Sequence, residues 1–568
     1  MFLAKNNRKG RIYLSIIHGY RDKNGKNHNR TIKTIGYADQ YKDQYKDPIA
    51  HFEQVVKEMN EQARQENAPI TIKFHPKKKI DMRITHELEL GSAVPSKYFH
   101  HDLDIWRFFD KKRTARNFKY DPCRILELLT WNRLTNPSSK KRCFENKDAF
   151  PRKCNFSLND VYRSLTYLNK NADKLIDHMN QSYIKTRGKR KTTHLYYDVT
   201  NYYFEIEDED DFRMRGVSKE HRPNPIVQMG LLLDSEGIPI NYELFAGNTN
   251  DNQTMLPIMK KAGLRAGKDK VIMIADKGLN TSTNIAACIL DRNGYIFSQS
   301  VRKAKRELKE WVLAEDSYSV NSTGTFRLKS RQSYKIVYVE SEDGKKRQVK
   351  VPVKEVAFWS KDFADRSKYE REKVIQKSVN AIANKQLSSA HSHTSIKYAK
   401  DVPVNKKTGE MASHNWIIDD KKIEEDARYD GYYCIITSET DMKDRDIIDA
   451  YRGLWKIEES FKVTKSDLSA RPVFVSTEDH IKAHFLVCYI ALLIMRLIQK
   501  DTKNKYSTSL ISDALRKIVG HRLDTNLYYF DYRTSLTDEL GKIACVDLSN
   551  QVLTKGEIDK IMSKVKNM

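Results

Sequence analysis

IIDAYRGLWKIEESFKVTKSDL, residues 447–468, is the stretch on which the fold turns. At roughly 100° per residue, Ile447, Ile448, Tyr451, Leu454, Trp455 and Phe461 share one face, which predicts a single amphipathic helix. Glu458 falls near the centre of that face, about 20° from Tyr451, whereas Glu459 lies about 100° further round, towards solvent. A carboxylate inside an apolar stripe costs on the order of several kcal/mol unless a cation, a metal or hydrogen-bond donors compensate it. Glu458 is therefore expected to have such a partner.

Two more acids occupy positions that could share it. In HLYYDVTNYYF (194–204) Asp198 interrupts a strand-like run, and in KVIMIADKGLN (270–280) Asp276 ends an apolar strand just before a glycine-containing turn. Strand ends are where α/β sheets carry ligand groups. Three carboxylates on two strands and a helix fit a divalent-metal site acting on a polyanion. The plain structural alternative has Asp198 capping a turn, Asp276 capping a helix and Glu458 paired with a lysine.

The charge balance favours the first reading. The chain has 568 residues, with Lys+Arg 101 against Asp+Glu 75, a net charge of +26 that points to a nucleic-acid partner. Its seven cysteines form no C-x-x-C pair and no zinc spacing, and scattered thiols in a long chain suit a reducing compartment. The N-terminus MFLAKNNRKGRIYLSII has no long apolar core, so no signal peptide is expected. FLVCYIALLIM (485–495) is too short to span a bilayer and reads as part of a buried helix. His480 and His484 have helical i, i+4 spacing but no third ligand, which favours solvent-facing or capping roles over zinc. There is no G-x-x-x-x-G-K-[ST] loop to support ATP use and no G-x-S-x-G nucleophile.

Along the chain, alternating runs joined by the turn DKNGKN predict a basic strand hairpin, followed by a helix over 48–66 with Asp47 and Pro48 as cap and first helical residue; together they make a unit over 1–70. Residues 71–190 read as a helical region with basic joints, a candidate DNA-binding module. The stretch 191–300 starts with three strands and continues as alternating helix and strand, which by pattern alone is α/β with an antiparallel portion. Asp276 and Glu458 lie 182 residues apart. That is far more than one helix and strand need, so 301–430, β-rich around TGTFRLKSRQSYKIVYVESEDGKKRQVKVPVKEVAFW, is expected as an inserted domain. YYCIITSE (432–439) returns to the main sheet in a second core part (431–500), and 501–568 is a basic, helical C-terminal region.

The spacing of Tyr451, position 454, Glu458 and Lys465 resembles the Tyr-Arg-Glu-Lys signature of DDE insertion-sequence transposases. YYDVT resembles that family's first-acid strand and IADKGLN its second, and the likeness runs over about 193–498. Leu454 departs from the pattern, standing where the signature has arginine; Arg452 or Lys456 could take over from the flanks. The resemblance implies a ribonuclease-H-like mixed sheet with flanking helices, interrupted by a β-rich insertion and preceded by a helical DNA-binding region. It implies cleavage and strand transfer of insertion-sequence ends, with Asp198, Asp276 and Glu458 binding Mg²⁺, for which Mn²⁺ can substitute. Tyr451, Lys465, Arg452 and Lys462 would grip DNA, and Tyr433, just before the strand preceding the signature helix, would stack on a flipped base. The implied partners are double-stranded DNA, as element terminal inverted repeats and target, and a second copy of the chain in the DNA complex. No membrane and no ATP are expected, and the implied location is the cytoplasm, at the nucleoid. A ribonuclease-H-like nuclease without strand transfer and an inactive, transposase-derived DNA-binding protein are the alternatives.

Overall fold

The computed structural model describes residues 1–8, 10–21, 27–66, 77, 79, 85–113, 119–261, 270–340, 346–384, 397–403, 414–523 and 526–566. The chain forms two compact units, Met1–Met82 and Arg83–Met568. In the first, strands β1 (Phe2–Arg8), β2 (Arg11–Arg21) and β3 (Asn27–Tyr37) make an antiparallel sheet in that order, followed by helix α1 (Pro48–Glu66). Asp47 caps α1 as its sequence predicts: its Oδ1 accepts from Ile49 N (3.0 Å) and Ala50 N (3.1 Å). Leu14, Ile16 and Val56 are buried. The DKNGKN turn falls at 22–27, of which 22–26 lie outside the described residues.

The second unit opens with β4 (Glu87–Glu89) and helices α2 (Ala93–Lys97), α3 (Ile105–Arg113), α4 (Pro122–Thr135), α5 (Lys140–Glu145), α6 (Leu158–Lys170) and α7 (Ala172–Arg187). Next come β5 (His194–Tyr203), β6 (Ile226–Leu233), β7 (Pro239–Ala246), α8 (Met255–Lys261), β8 (Ile272–Ala275), α9 (Ser282–Leu290) and β9 (Gly294–Gln299). Then follow α10 (Arg306–Leu313), β10 (Ser319–Val320), β11 (Phe326–Glu340), β12 (Lys346–Ser360), α11 (Lys361–Ala383), β13 (Ala399–Pro403), β14 (His414–Ile418), α12 (Asp420–Ala427) and β15 (Tyr432–Thr437).

These strands build a nine-stranded sheet in the order β10-β11-β12-β15-β9-β8-β5-β6-β7. β5, β6 and β7 are antiparallel neighbours, while β8 and β9 join β5 in parallel. Three antiparallel strands followed by parallel ones is the ribonuclease-H-like arrangement. β6 is buried at every residue, as expected for a strand covered on both faces. The β-rich stretch expected as an inserted domain is joined to this sheet: β12 pairs with β15 over Lys354–Trp359, and β15 pairs with β9. Among the described residues between the acids, only β13 and β14 form a sheet of their own.

The last part holds α13 (Asp444–Arg452), α14 (Trp455–Lys465), α15 (Glu478–Asp501), α16 (Thr508–Lys517), β16 (Val519–Arg522), β17 (Leu527–Tyr529), α17 (Ser535–Ile543), β18 (Val552–Thr554) and α18 (Lys555–Lys566). β16 pairs with β4 in a four-stranded sheet ordered β18-β17-β16-β4, tying the C-terminal region to the start of this unit. α15 is apolar all round and buried nearly throughout, against α4 and α6 on one side and β7 and α14 on the other. It is long and apolar enough to cross a membrane, yet it forms part of the core. The helices of 93–187 consequently share one core with the sheet. His484, expected to face solvent or cap a helix, is buried on α15, bound to Lys140 Nζ (2.6 Å) and Ala470 O (2.9 Å). Six of the seven cysteines are buried and Cys545 is exposed.

The stretch 447–468 is two helices, where one was expected. The break falls at Gly453 and Leu454, between α13 and α14. A Cβ on Gly453 would lie 2.0 Å from the Tyr196 hydroxyl, so only glycine lets β5 come this close. In an ordinary helix, Gly→Ala stabilises by about 1 kcal/mol. Gly453→Ala is expected instead to destabilise by about 1–3 kcal/mol through overpacking, read as a lower midpoint in urea unfolding; an unchanged or raised midpoint would contradict the close packing.

Candidate active site

The register of β5 and β8 brings the two aspartates together. His194, Leu195 and Tyr196 pair in parallel with Ile272, Met273 and Ile274, and the same offset carried forward sets Asp198 level with Asp276, one residue past the end of β8. Asp198 is among the few residues of β5 not fully buried. Its Oδ1 accepts from Val199 N (2.7 Å) and lies 4.0 Å from Lys219 Nζ. Burial is the main force raising its pKa, to about 6; Lys219 and the Val199 amide oppose the rise, and the negative charges of Asp276 and Asp251 add to it.

Asp276 is oriented by two hydroxyls on other elements. Ser298 Oγ, on β9, donates to its Oδ1 at 2.7 Å, and Tyr451 Oη, on α13, donates to the same oxygen at 3.2 Å. Asp276 does precede a short helical turn, Lys277–Leu279, but its side chain makes no capping bond there, so a capping role does not account for it.

Glu458 differs from its sequence reading. It stands in the first turn of α14 but is exposed, and the buried position beside it is Ile457, at 0 %. The helix is interrupted at Gly453 and Leu454, and beyond the break Trp455 and Glu458 are exposed, so the stripe drawn through one continuous helix does not hold. Its neighbour Glu459 is the one paired to a cation, with 3.3 Å to Arg496 Nη1. Glu458 is linked to Asp276 through one aromatic neighbour. The Tyr433 phenol is pushed up first by burial and then by the negative charges of Asp276 and Glu458, which places it within electrostatic reach of both.

Tyr433 is 37 % exposed and stacks on Phe358 (centroids 5.5 Å apart), with Phe363 at 5.3 Å and Tyr451 at 6.5 Å. Arg452 and Lys462 are exposed, Arg452 lying near Asp449 (3.6 Å) and over the Phe326 ring. Lys465 is bound to Glu220 (3.1 Å), and Tyr451 spends its hydroxyl on Asp276. Leu454 is 8 % exposed and belongs to the core. Lys456, at its flank, donates to Ser235 O (2.6 Å).

Among the described residues no three His, Cys, Asp or Glu side chains are gathered closely enough to hold a metal ion. The donor chemistry nonetheless suits a hard divalent cation: all the groups are oxygens, and Asp198 carries a charge that its protein neighbours compensate incompletely. Lys219, Asp251 and Ser298 had no sequence signal. Each reaches the site only through folding, Asp251 lying 3.9 Å from where a Cβ on Gly278 would stand.

The raised pKa of Asp198 has a stability consequence of defined sign. An acid whose folded pKa exceeds its unfolded value weakens the fold once it is ionised. In EDTA, Asp198→Asn is expected to stabilise the protein by about 2–3 kcal/mol above pH 6, the gain shrinking as pH falls and vanishing below the ordinary aspartate range near pH 4. Urea unfolding across that range checks it; a gain independent of pH would contradict the assignment.

Comparison with known families agrees with this geometry. Residues 189–494, over half of the chain, match the family described as Transposase DDE domain, and residues 3–70 match the IS1634 family transposase, N-terminal domain. No curated protein matches the sequence. Among solved structures the chain is similar to the piggyBac transposase in a cryo-EM synaptic complex with hairpin DNA, at 9 % identity over 84 % of this chain and 85 % of that one. The TM-score of 0.37 is too low for that likeness to carry an argument. With its mixed sheet and its two aspartates level on adjacent parallel strands, the chain belongs to the DDE transposase family, and it is a DNA transposase of the insertion-sequence type.

Proposed function

We propose that the protein cleaves the ends of its element and joins them to target DNA, with Asp198, Asp276 and Glu458 holding divalent metal, Mg²⁺ by preference and Mn²⁺ as a substitute. The observation that carries this reading is the shared level of Asp198 and Asp276 on β5 and β8, with Ser298 and Tyr451 fixing the second carboxylate. The metal supplies Lewis-acid activation of a water or 3′-hydroxyl and stabilises the leaving oxygen. Asp198 and Asp276 offer rigid oxygen donors, whereas Glu458, exposed on α14, comes from an element free to adjust its rotamer when the ion and DNA arrive. Tyr451 acts on Asp276 as a positioning residue, and Lys465, Arg452 and Lys462 contribute cations for the flanking phosphates. The substrates are the terminal inverted repeats and a target duplex, two copies of the chain act in the DNA complex, and the reaction takes place in the cytoplasm at the nucleoid without ATP.

Asp276→Asn is expected to lower Mg²⁺-dependent end cleavage at least a thousandfold, roughly 4 kcal/mol, while binding of the same end duplex in EDTA changes less than threefold. Cleavage persisting at more than a tenth of the normal rate would sink the reading.

Tyr433 is the candidate for holding an extruded base, because its ring is partly exposed, is backed by Phe358 and lies within electrostatic reach of Asp276 and Glu458. Base-aromatic stacking contributes about 1–3 kcal/mol. Tyr433→Ala is expected to leave first-strand nicking intact and slow the second-strand step by about tenfold, with Tyr433→Trp near normal. Equal rates for both steps in the alanine variant would remove Tyr433 from the mechanism.

A further inference from the structure

The connection between β5 and β6 places one lysine and one glutamate, adjacent in sequence, on two functional groups of opposite charge. Lys219 Nζ lies 4.0 Å from Asp198 Oδ1 and also donates to the Val199 carbonyl. Glu220 Oε1 lies 3.1 Å from Lys465 Nζ, and its other oxygen binds Arg471 Nη1. The lysine ammonium stands where a cation would serve Asp198. The glutamate carboxylate bridges two half-buried cations in the way a phosphate would, since both are acidic oxyanions that accept from Lys and Arg.

What holds this turn is polar. Val217, two residues before Lys219, is 88 % exposed. The backbone of the turn is fastened by Asn201 Nδ2 to Val217 O (3.0 Å) and by His221 N to Ser218 O (3.1 Å). Arg222 and Arg471 both lie over the Tyr203 ring, at 4.1 and 5.2 Å, so Arg471 keeps a second support when Glu220 leaves. Lys465 and Arg471 are too little exposed to be left without an anionic partner at small cost, so a group that displaces Glu220 has to bring a negative charge of its own. A chain of charge +26 that binds a polyanion has reason to keep the cations beside its acidic site paired until the polyanion arrives.

Building on the transposase reading, we propose that Arg471 and Lys465 form a phosphodiester-binding pair beside Asp198, and that residues 218–221 form a strap whose Glu220 occupies that pair until DNA displaces it. Opening removes Lys219 from Asp198 in the same movement, so DNA binding frees the first carboxylate for metal.

The test is equilibrium binding in EDTA of a fluorescein-labelled duplex of about 30 base pairs and arbitrary sequence, at low salt, to the full chain. Glu220→Gln is expected to tighten binding by about three- to tenfold and Arg471→Gln to weaken it by a similar factor, lowering the salt slope by about one. A purely structural ion pair predicts that both variants shift binding in the same direction or not at all, and that result would overturn the strap. Should Glu220→Gln lower the melting temperature markedly, the unaltered chain decides: duplex is expected to speed tryptic cleavage after Arg215 or Lys219, and unchanged or slower cleavage would count against displacement. The assay contains no metal and scores no cleavage, so its failure leaves the acid triad standing. Failure of the triad appears separately, as cleavage surviving in Asp276→Asn.

Discussion

Burial of α15 on every side is the constraint on which the second unit depends. A helix with no polar face cannot lie on a surface; it must be enclosed, and here α4 and α6 enclose it from one side while β7 and α14 do so from the other. Each fully buried Leu, Ile or Phe on it contributes about 1.5–3 kcal/mol. The helical region and the sheet are thereby held in one core. Arg496 extends this hold to the active site: its Nη2 donates to Ser460 Oγ (3.0 Å), and its Nη1 lies 3.3 Å from Glu459. The helix that carries Glu458 is positioned from behind.

The site built on this support is electrostatically under-compensated. Two aspartates are brought level by strand register, and the cost appears on Asp198, whose pKa rises because burial and the Asp276 and Asp251 charges oppose ionisation. Asp276 is held by the two hydroxyls of Ser298 and Tyr451, which satisfy one of its oxygens without neutralising it. Such a pair favours a cation bound between its members, and the same unmet charge explains why a lysine from a neighbouring turn is drawn to Asp198. On the other side, Glu220 meets the excess positive charge of Lys465 and Arg471. Asp198 on one side and Lys465 and Arg471 on the other therefore all have internal partners of opposite charge.

Much of this was legible in the chain itself. Asp198 within a strand and Asp276 at the end of another are local patterns, and the order of strands and helices from 194 to 299 follows from period and turn residues alone. The cap at Asp47, the buried helix at 485–495 and the return strand at 432–437 are likewise local, because hydrophobic period and capping chemistry act over a few residues.

Tertiary structure decided the rest. Periodicity assumes an unbroken helix, so it could not place Glu458 correctly once the helix broke at Gly453, where Tyr196 from a strand some 250 residues earlier leaves no room for a side chain. The strands β11 and β12 read as an inserted domain because their partner, β15, lies beyond two further helices and a small sheet. β4 and β16, three and four residues long, are too short for their pairing to be visible before folding. Ser298, Lys219, Asp251 and Arg471 are ordinary polar residues in sequence. They acquire a role only through contacts between elements far apart in the chain, and such contacts leave no periodic trace in any local window.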